Sequence, residues 1–173
     1  MKAITVRQPH ASLIAIGAKR FATLSWPAPK SLPPGSLLAI HAATKLPTYS
    51  HCSWSNEQAE AMWDALNSSY WGKFCDWQQV VNLVRMGTLP LGEVVCVCSF
   101  LGCYPAEVIG AEVTDHERLF GDWAPGRFAW ELELIVNCGS REVPAKGKQG
   151  LWEWEPPAWL EQDLAARASG AVQ

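Results

Sequence analysis

Basic side chains that could bind an anion follow glycines at two places in the chain. Lys19 comes after Gly17, which ends a short helical pattern. There an amine can act as a point charge for phosphate or as a desolvated base. The alternative is a solvated loop lysine, the usual place for this residue type. Arg127 follows Pro125-Gly126, and its guanidinium can clamp a phosphate or pair with Asp122.

Aromatic and amide side chains extend this chemistry to bases. Trp26 and Trp130 could stack on a nucleobase, although with ten tryptophans in the chain most must pack in the core. Gln149 lies in a glycine-flanked segment, which suits a hydrogen bond to a base edge or a simple turn. His41 lies in an apolar strand pattern and is more typical of a hydrogen-bonded core histidine than of a base.

Composition limits the classes of protein. The chain has 173 residues, of which 49% are hydrophobic and 18% charged, so it predicts one folded domain rather than a disordered segment. The net charge of -3 argues against strong non-specific binding to a phosphate backbone. Recognition of a single modified or flipped base needs fewer charges and more aromatic surface, which suits this composition better.

The six cysteines favour a reduced protein. The chain is long enough to fold without disulfides, and Met1–Arg7 does not have the pattern of a secretory leader. Cys96 and Cys98 are two residues apart in a strand pattern, so they share a face and pack rather than form a zinc knuckle. We therefore expect no metal, no cofactor and a cytoplasmic location. The longest apolar stretch, 94–106, is too short to cross a bilayer, so no membrane association is expected.

The elements that must position these residues follow from hydrophobic spacing and from caps. Alternating or apolar patterns predict strands or extended segments at 3–7, 19–26, 36–42, 93–103 and 128–136, with a short final strand after the turn at 146–152. Helical spacing predicts helices at 9–16, from the capping box Ser55–Gln58 onward, from Asp76 to Gly87, and at 159–168. This order predicts an α+β fold: a small mixed β-barrel with surrounding helices and a helical insertion at about 46–91.

Five motifs in order carry a resemblance to a known family. They are Thr5–His10, Gly17–Trp26, Gly35–Ala42, Phe120–Trp130 and Gly147–Trp152. In these motifs the chain resembles the ASCH domain, a relative of PUA-like RNA-binding barrels. The resemblance covers about residues 3–154, and implies a PUA-like domain at 1–155 followed by a C-terminal helix and tail at 156–173.

The resemblance also implies a ligand cleft near Lys19, and the chain departs from the family pattern there. Ala22 stands where the family has an acidic residue, or a threonine in one branch of small amidohydrolases. Leu24 replaces an arginine, and His10 replaces a tryptophan. The residues of this cleft that remain, with those of the later motifs, form the predicted binding set: Gln8, Lys19, Ser25, Trp26, His41, Arg127, Trp130, Lys148 and Gln149.

Three functions follow as hypotheses. The first is binding of single-stranded RNA or a nucleotide-like small molecule in the cleft near Lys19. The second is an amidohydrolase acting on an acylated cytidine, with Lys19 as its catalytic residue. The resemblance argues against this enzyme, because its threonine position is Ala22, and its glutamate is left open among Glu107, Glu112 and Glu117. The third is a protein-interaction module that uses the tryptophan-rich insertion with Trp54, Trp71 and Trp77.

Overall fold

The computed structural model describes residues 1–45, 55–70, 89–139 and 141–169. Its centre is one six-stranded sheet that curls into a half-barrel, in the order β2-β5-β4-β3-β1-β6. The strands are β1 (Lys2–Val6), β2 (Phe21–Leu24), β3 (Leu37–Ala42), β4 (Glu93–Pro105), β5 (Phe128–Asn137) and β6 (Leu151–Glu153). β1 and β3 run parallel and all other neighbours antiparallel, so the sheet is mixed.

Five helices lie around this sheet in the described part of the chain. They are α1 (His10–Ala15), α2 (Asn56–Tyr70), α3 (Ala106–Ile109), α4 (Asp115–Leu119) and α5 (Ala158–Ala168). The α2 capping box forms as its spacing predicts: Ser55 Oγ accepts from Gln58 N at 3.2 Å, and Gln58 Oε1 accepts from Ser55 N at 3.0 Å. The expected helix from Asp76 to Gly87 falls outside the described residues.

Both faces of the sheet are covered. The inner face, with Ile40 and Trp130, packs against α1. The outer face, with Ala39 and Trp152, packs against Leu160 and Leu164 of α5. This two-sided burial explains why the central strands are apolar on both faces and lack the alternation of a half-exposed strand.

The expectation of a mixed α+β fold with surrounding helices is confirmed, and the sheet that was expected as a small β-barrel forms a curled half-barrel in the described residues. In the described residues the sheet has two edges, β2 and β6, so its curvature is that of a half-barrel. The short helices α3 and α4 were not anticipated, because elements of four or five residues do not show helical periodicity. Across the described ranges, no helix combines the length and the apolarity needed to span a bilayer.

The cysteines of β4 pack as expected. Cys96 and Cys98 are buried on the same face with their sulfur atoms 3.9 Å apart, within the inner apolar cluster. Burial, followed by the adjacent Cys98 thiol, raises the pKa of Cys96 well above its usual value. These are inert packing thiols.

Candidate functional site

Lys19 is buried at a junction between α1, α4 and β2. Gly17 ends α1 with a positive φ of 76°, which favours glycine, and the Lys19 amide then donates to Leu13 O at 3.1 Å. Only 4% of Lys19 is exposed, and its Nζ donates to the carbonyl oxygen of Phe120 at 2.5 Å. The alternative of a solvated loop lysine is therefore wrong.

Glu117 of α4 faces the same junction. Thr114 caps α4 by accepting from Glu117 N at 3.2 Å. The Glu117 carboxylate accepts from two successive backbone amides, Arg20 N at 2.9 Å and Phe21 N at 3.1 Å. Its two oxygens therefore fasten α4 to the start of β2 and balance the buried charge of Lys19.

The junction shifts the ionisation of its basic groups. Burial lowers the pKa of Lys19 from 10.5 to about 8, and the nearby Glu117 charge acts in the opposite direction. Burial, followed by the positive charge of Lys19, lowers the pKa of His10 to about 3. At neutral pH the junction therefore holds a neutral imidazole beside an ammonium group that loses its proton slightly above neutrality.

A loop after α4 runs along the free edge of β2. Asp122 N donates to Thr23 Oγ1 at 3.0 Å, and Arg127 Nη2 donates to Thr23 O at 2.9 Å. Arg127 Nε also lies 3.1 Å from Asp122 Oδ2. Of the two readings of Arg127, the structure shows the ion pair. These side-chain contacts also protect an edge strand from pairing with another chain.

The face of β2 beyond Lys19 is apolar. Ala22 is 3% exposed and pairs in register with Trp130, which is completely buried. Trp26 stands edge-on to Trp130 with ring centroids 4.6 Å apart, and Trp130 Nε1 donates to Trp26 O at 3.3 Å. Trp130 is a core residue, whereas Trp26 is half-buried and Ser25 is exposed.

A second group of predicted residues lies on the outer face of the sheet. His41 is 1% exposed, its Nε2 donates to Ala145 O at 3.0 Å, and its ring contacts Trp152 edge-on. Gly147 lies so close that a Cβ there would stand 2.4 Å from His41 Cε1. Thr5 Oγ1 donates to Lys148 O at 2.9 Å. The chain therefore passes over His41 with Lys148 and Gln149 exposed beside it.

Gln8 has a structural role at the start of α1. It is 1% exposed, its Nε2 donates to Ser12 Oγ at 2.9 Å and to Pro90 O at 2.8 Å, and its Oε1 accepts from Ser12 N at 3.1 Å. Both amide hydrogens are thus bound within the protein. Gln8 fixes the turn into α1 rather than facing a ligand.

The predicted set therefore lies in separate places. Lys19 precedes β2 and Ser25 follows it, so roughly 13 Å of strand separates them. Trp26 and Trp130 form one pair, and His41 approaches Lys148 and Gln149 through Gly147 on the outer face. Glu117 belongs to the Lys19 junction, although sequence placed it only among three candidates. The Thr114-x-x-Glu117 spacing of a helix start is the signal that could have singled it out.

One cavity is found elsewhere, at the end of the β4–β5 ladder. Ser12, Glu93, Asn137 and Arg141 are among its lining residues. Its volume of about 20 Å³ suits roughly one water molecule and excludes a nucleobase. This cavity does not include Lys19, so it is not the predicted cleft.

Comparison with known proteins identifies no relative whose function could be compared with this site. No protein-family model matches the chain, and no curated protein matches it significantly.

Proposed function

We propose that this protein is an ASCH-like, PUA-like domain that binds RNA or a nucleotide-like ligand beside Lys19. The observation that carries the proposal is the hydrogen bond from Lys19 to Phe120 O, because it joins two of the resembling motifs around one buried ammonium group. A buried lysine with a lowered pKa, next to a histidine and a glutamate, is typical of functional sites.

Burial defines what Lys19 can recognise. An ammonium group has three donor hydrogens, of which Phe120 O takes one. With 4% of the residue exposed, Lys19 suits contact with a single projecting atom, such as a base carbonyl oxygen, better than contact with a solvated phosphate. A pyrimidine nucleoside offers such an oxygen, and a hydrogen bond to a charged donor contributes about 1.5–3 kcal/mol.

The local chemistry disfavours the amidohydrolase. Ala22 supplies no hydroxyl, and its position is packed against Trp130. The hydroxyl of the adjacent Thr23 already has a structural contact, because its Oγ1 accepts from Asp122 N. Both carboxylate oxygens of Glu117 accept from backbone amides, which gives the group a structural role at the start of β2. We therefore propose binding rather than hydrolysis.

The interaction-module hypothesis stays a prediction. Trp54, Trp71 and Trp77 lie outside the described residues.

Calorimetric titration with cytidine and uridine tests the proposal. We expect saturable binding that is about tenfold or more weaker in Lys19→Met, because the hydrogen bond to the ligand is lost. Affinity should also fall as pH rises through about 8, where Lys19 loses its charge. Lys30→Met is the matched control, because Lys30 is exposed in the loop after β2.

Two outcomes would contradict the proposal. One is the absence of binding by the wild-type protein to either nucleoside or to short oligouridylate. The other is binding that Lys19→Met and Lys30→Met weaken equally, because the ligand would then not contact the buried ammonium group.

A further inference from the structure

Four exposed cations lie on the chain segments that meet at the contact of Thr5, His41 and Gly147 on the outer face. Lys146 and Lys148 flank Gly147 in the chain. Arg7 and Lys45 follow the parallel strands β1 and β3, which end side by side at Val6 and Ala42. We refer to Arg7, Lys45, Lys146 and Lys148 as the basic rim.

The segment that carries Lys146 and Lys148 is held by contacts other than those of the lysine side chains. Ala145 N donates to Gly92 O at 3.0 Å, and Ala145 O accepts from His41. Thr5 Oγ1 donates to the main-chain oxygen of Lys148, and Gly147 packs directly against His41. The fold therefore fixes the backbone while leaving both ammonium groups exposed to solvent.

Charge is unbalanced at this end of the sheet. None of the four rim cations forms an ion pair with a described residue, whereas Lys2, at the other end of β1, pairs with Glu153. Nearby carboxylates are Glu93, which accepts from Val143 N at 3.3 Å, and the exposed Glu142. Among the described residues here, four cations against two carboxylates make a local positive surface on a chain whose net charge is -3.

We propose that the basic rim binds the phosphate backbone of single-stranded RNA. Exposed cations that form no ion pair with a described residue suit solvated phosphates, which the buried Lys19 does not. The exposed Gln149 amide at the same place can hydrogen-bond a base edge. This inference rests on the proposed function and assigns the backbone of the RNA to a surface separate from the Lys19 junction.

The dependence of affinity on salt measures these contacts. Each phosphate neutralised on a single strand contributes about 0.7 to the slope of log affinity against log salt, so four contacts predict a slope of about -3. Affinity for oligouridylate should then fall about 50-fold between about 50 and 200 mM salt. The affinity of the double variant Lys146→Gln/Lys148→Gln for oligouridylate should fall only about sevenfold over the same salt range, because two phosphate contacts remain.

The double variant Lys2→Gln/Lys30→Gln is the matched control. It removes the same charge from the start of β1 and from the loop before β3, at the opposite end of the sheet. It should keep the wild-type slope. Circular dichroism should show native spectra for both variants, because the rim segment is held by backbone contacts.

The results separate this inference from the proposed function. If the slope of log affinity against log salt is equal in the rim and control variants, the assignment of the RNA backbone to the basic rim is overturned. Nucleoside binding at Lys19 is unaffected by that result. If neither nucleoside nor RNA binds, both proposals fail. If polyglutamate displaces oligouridylate from the rim at equal charge, the surface binds acidic chains in general and the assignment to RNA is overturned. Nucleoside affinity that is unchanged in the rim variant, together with a reduced RNA slope, supports it.

Discussion

Replacing Lys19 with methionine should remove one specific pH dependence of stability. Methionine is apolar and of similar length, so it can fill the junction, but it removes one partner of a buried charge pair and should lower the stability at every pH. Glu117 keeps both of its backbone amide donors in this variant. We therefore expect Lys19→Met to fold.

The magnitude follows from the pKa of Lys19. Its pKa is about 8 in the folded protein and 10.5 in the unfolded chain. Between these values the unfolded chain binds a proton that the folded protein does not, so the free energy of unfolding rises with pH. Raising the pH from about 7 to 10.5 should stabilise the wild-type protein by about 3 kcal/mol relative to the variant.

The measurement is urea unfolding of both proteins across this pH range, followed by far-UV circular dichroism. Taking the difference between the two proteins removes the contribution of other groups, such as Cys138, whose pKa is raised by burial to about 11. His10 titrates far below this range, at about 3. Lys30→Met serves as the control, and its difference from the wild type should be independent of pH.

A difference between wild type and Lys19→Met that stays constant within about 1 kcal/mol would refute the reasoning, since one pKa unit corresponds to about 1.4 kcal/mol. Lys19 would then titrate as a solvated lysine. The junction would lose the property that makes it a candidate site.

Two further substitutions test the contacts that position these residues. Glu117→Gln should lower the free energy of unfolding in urea by about 1–3 kcal/mol, because an amide has one acceptor oxygen for the amides of Arg20 and Phe21; no loss would show that the carboxylate does not fasten α4 to β2. Gly147→Ala should cost about 1–3 kcal/mol by the same assay, because its Cβ would overlap His41, whereas Lys148→Ala should be nearly neutral. Equal stabilities of these last two variants would contradict the close packing of Gly147.

Local spacing was enough to predict most of the secondary structure. The Ser55–Gln58 capping box, the glycine that ends α1 and the apolar runs of β3, β4 and β5 depend on neighbours a few residues away, so they are visible in the sequence. The buried pair of cysteines followed from strand alternation in the same way. The short helix α4 was missed because five residues are too few to show a period.

The site required long-range information. Sequence identified Lys19 as a residue of interest but did not predict its burial. The burial results from helix α4 and Phe120, which pack over Lys19 although they lie about a hundred residues away in the chain. Sequence also grouped Lys19 with Ser25 and His41. Strand length places Ser25 beyond the other end of β2, and sheet pairing places His41 on the outer face.

The sequence by itself determined where the strands and the helices α1, α2 and α5 form, since hydrophobic period, caps and glycine stops act within a few residues. Only the tertiary structure decided that Glu117 holds the start of β2, that Gly147 closes over His41, and that the cations of the basic rim form no ion pair with a described residue. These features depend on strand register and on desolvation. Both are set by segments far apart in the chain that meet only when the sheet has formed.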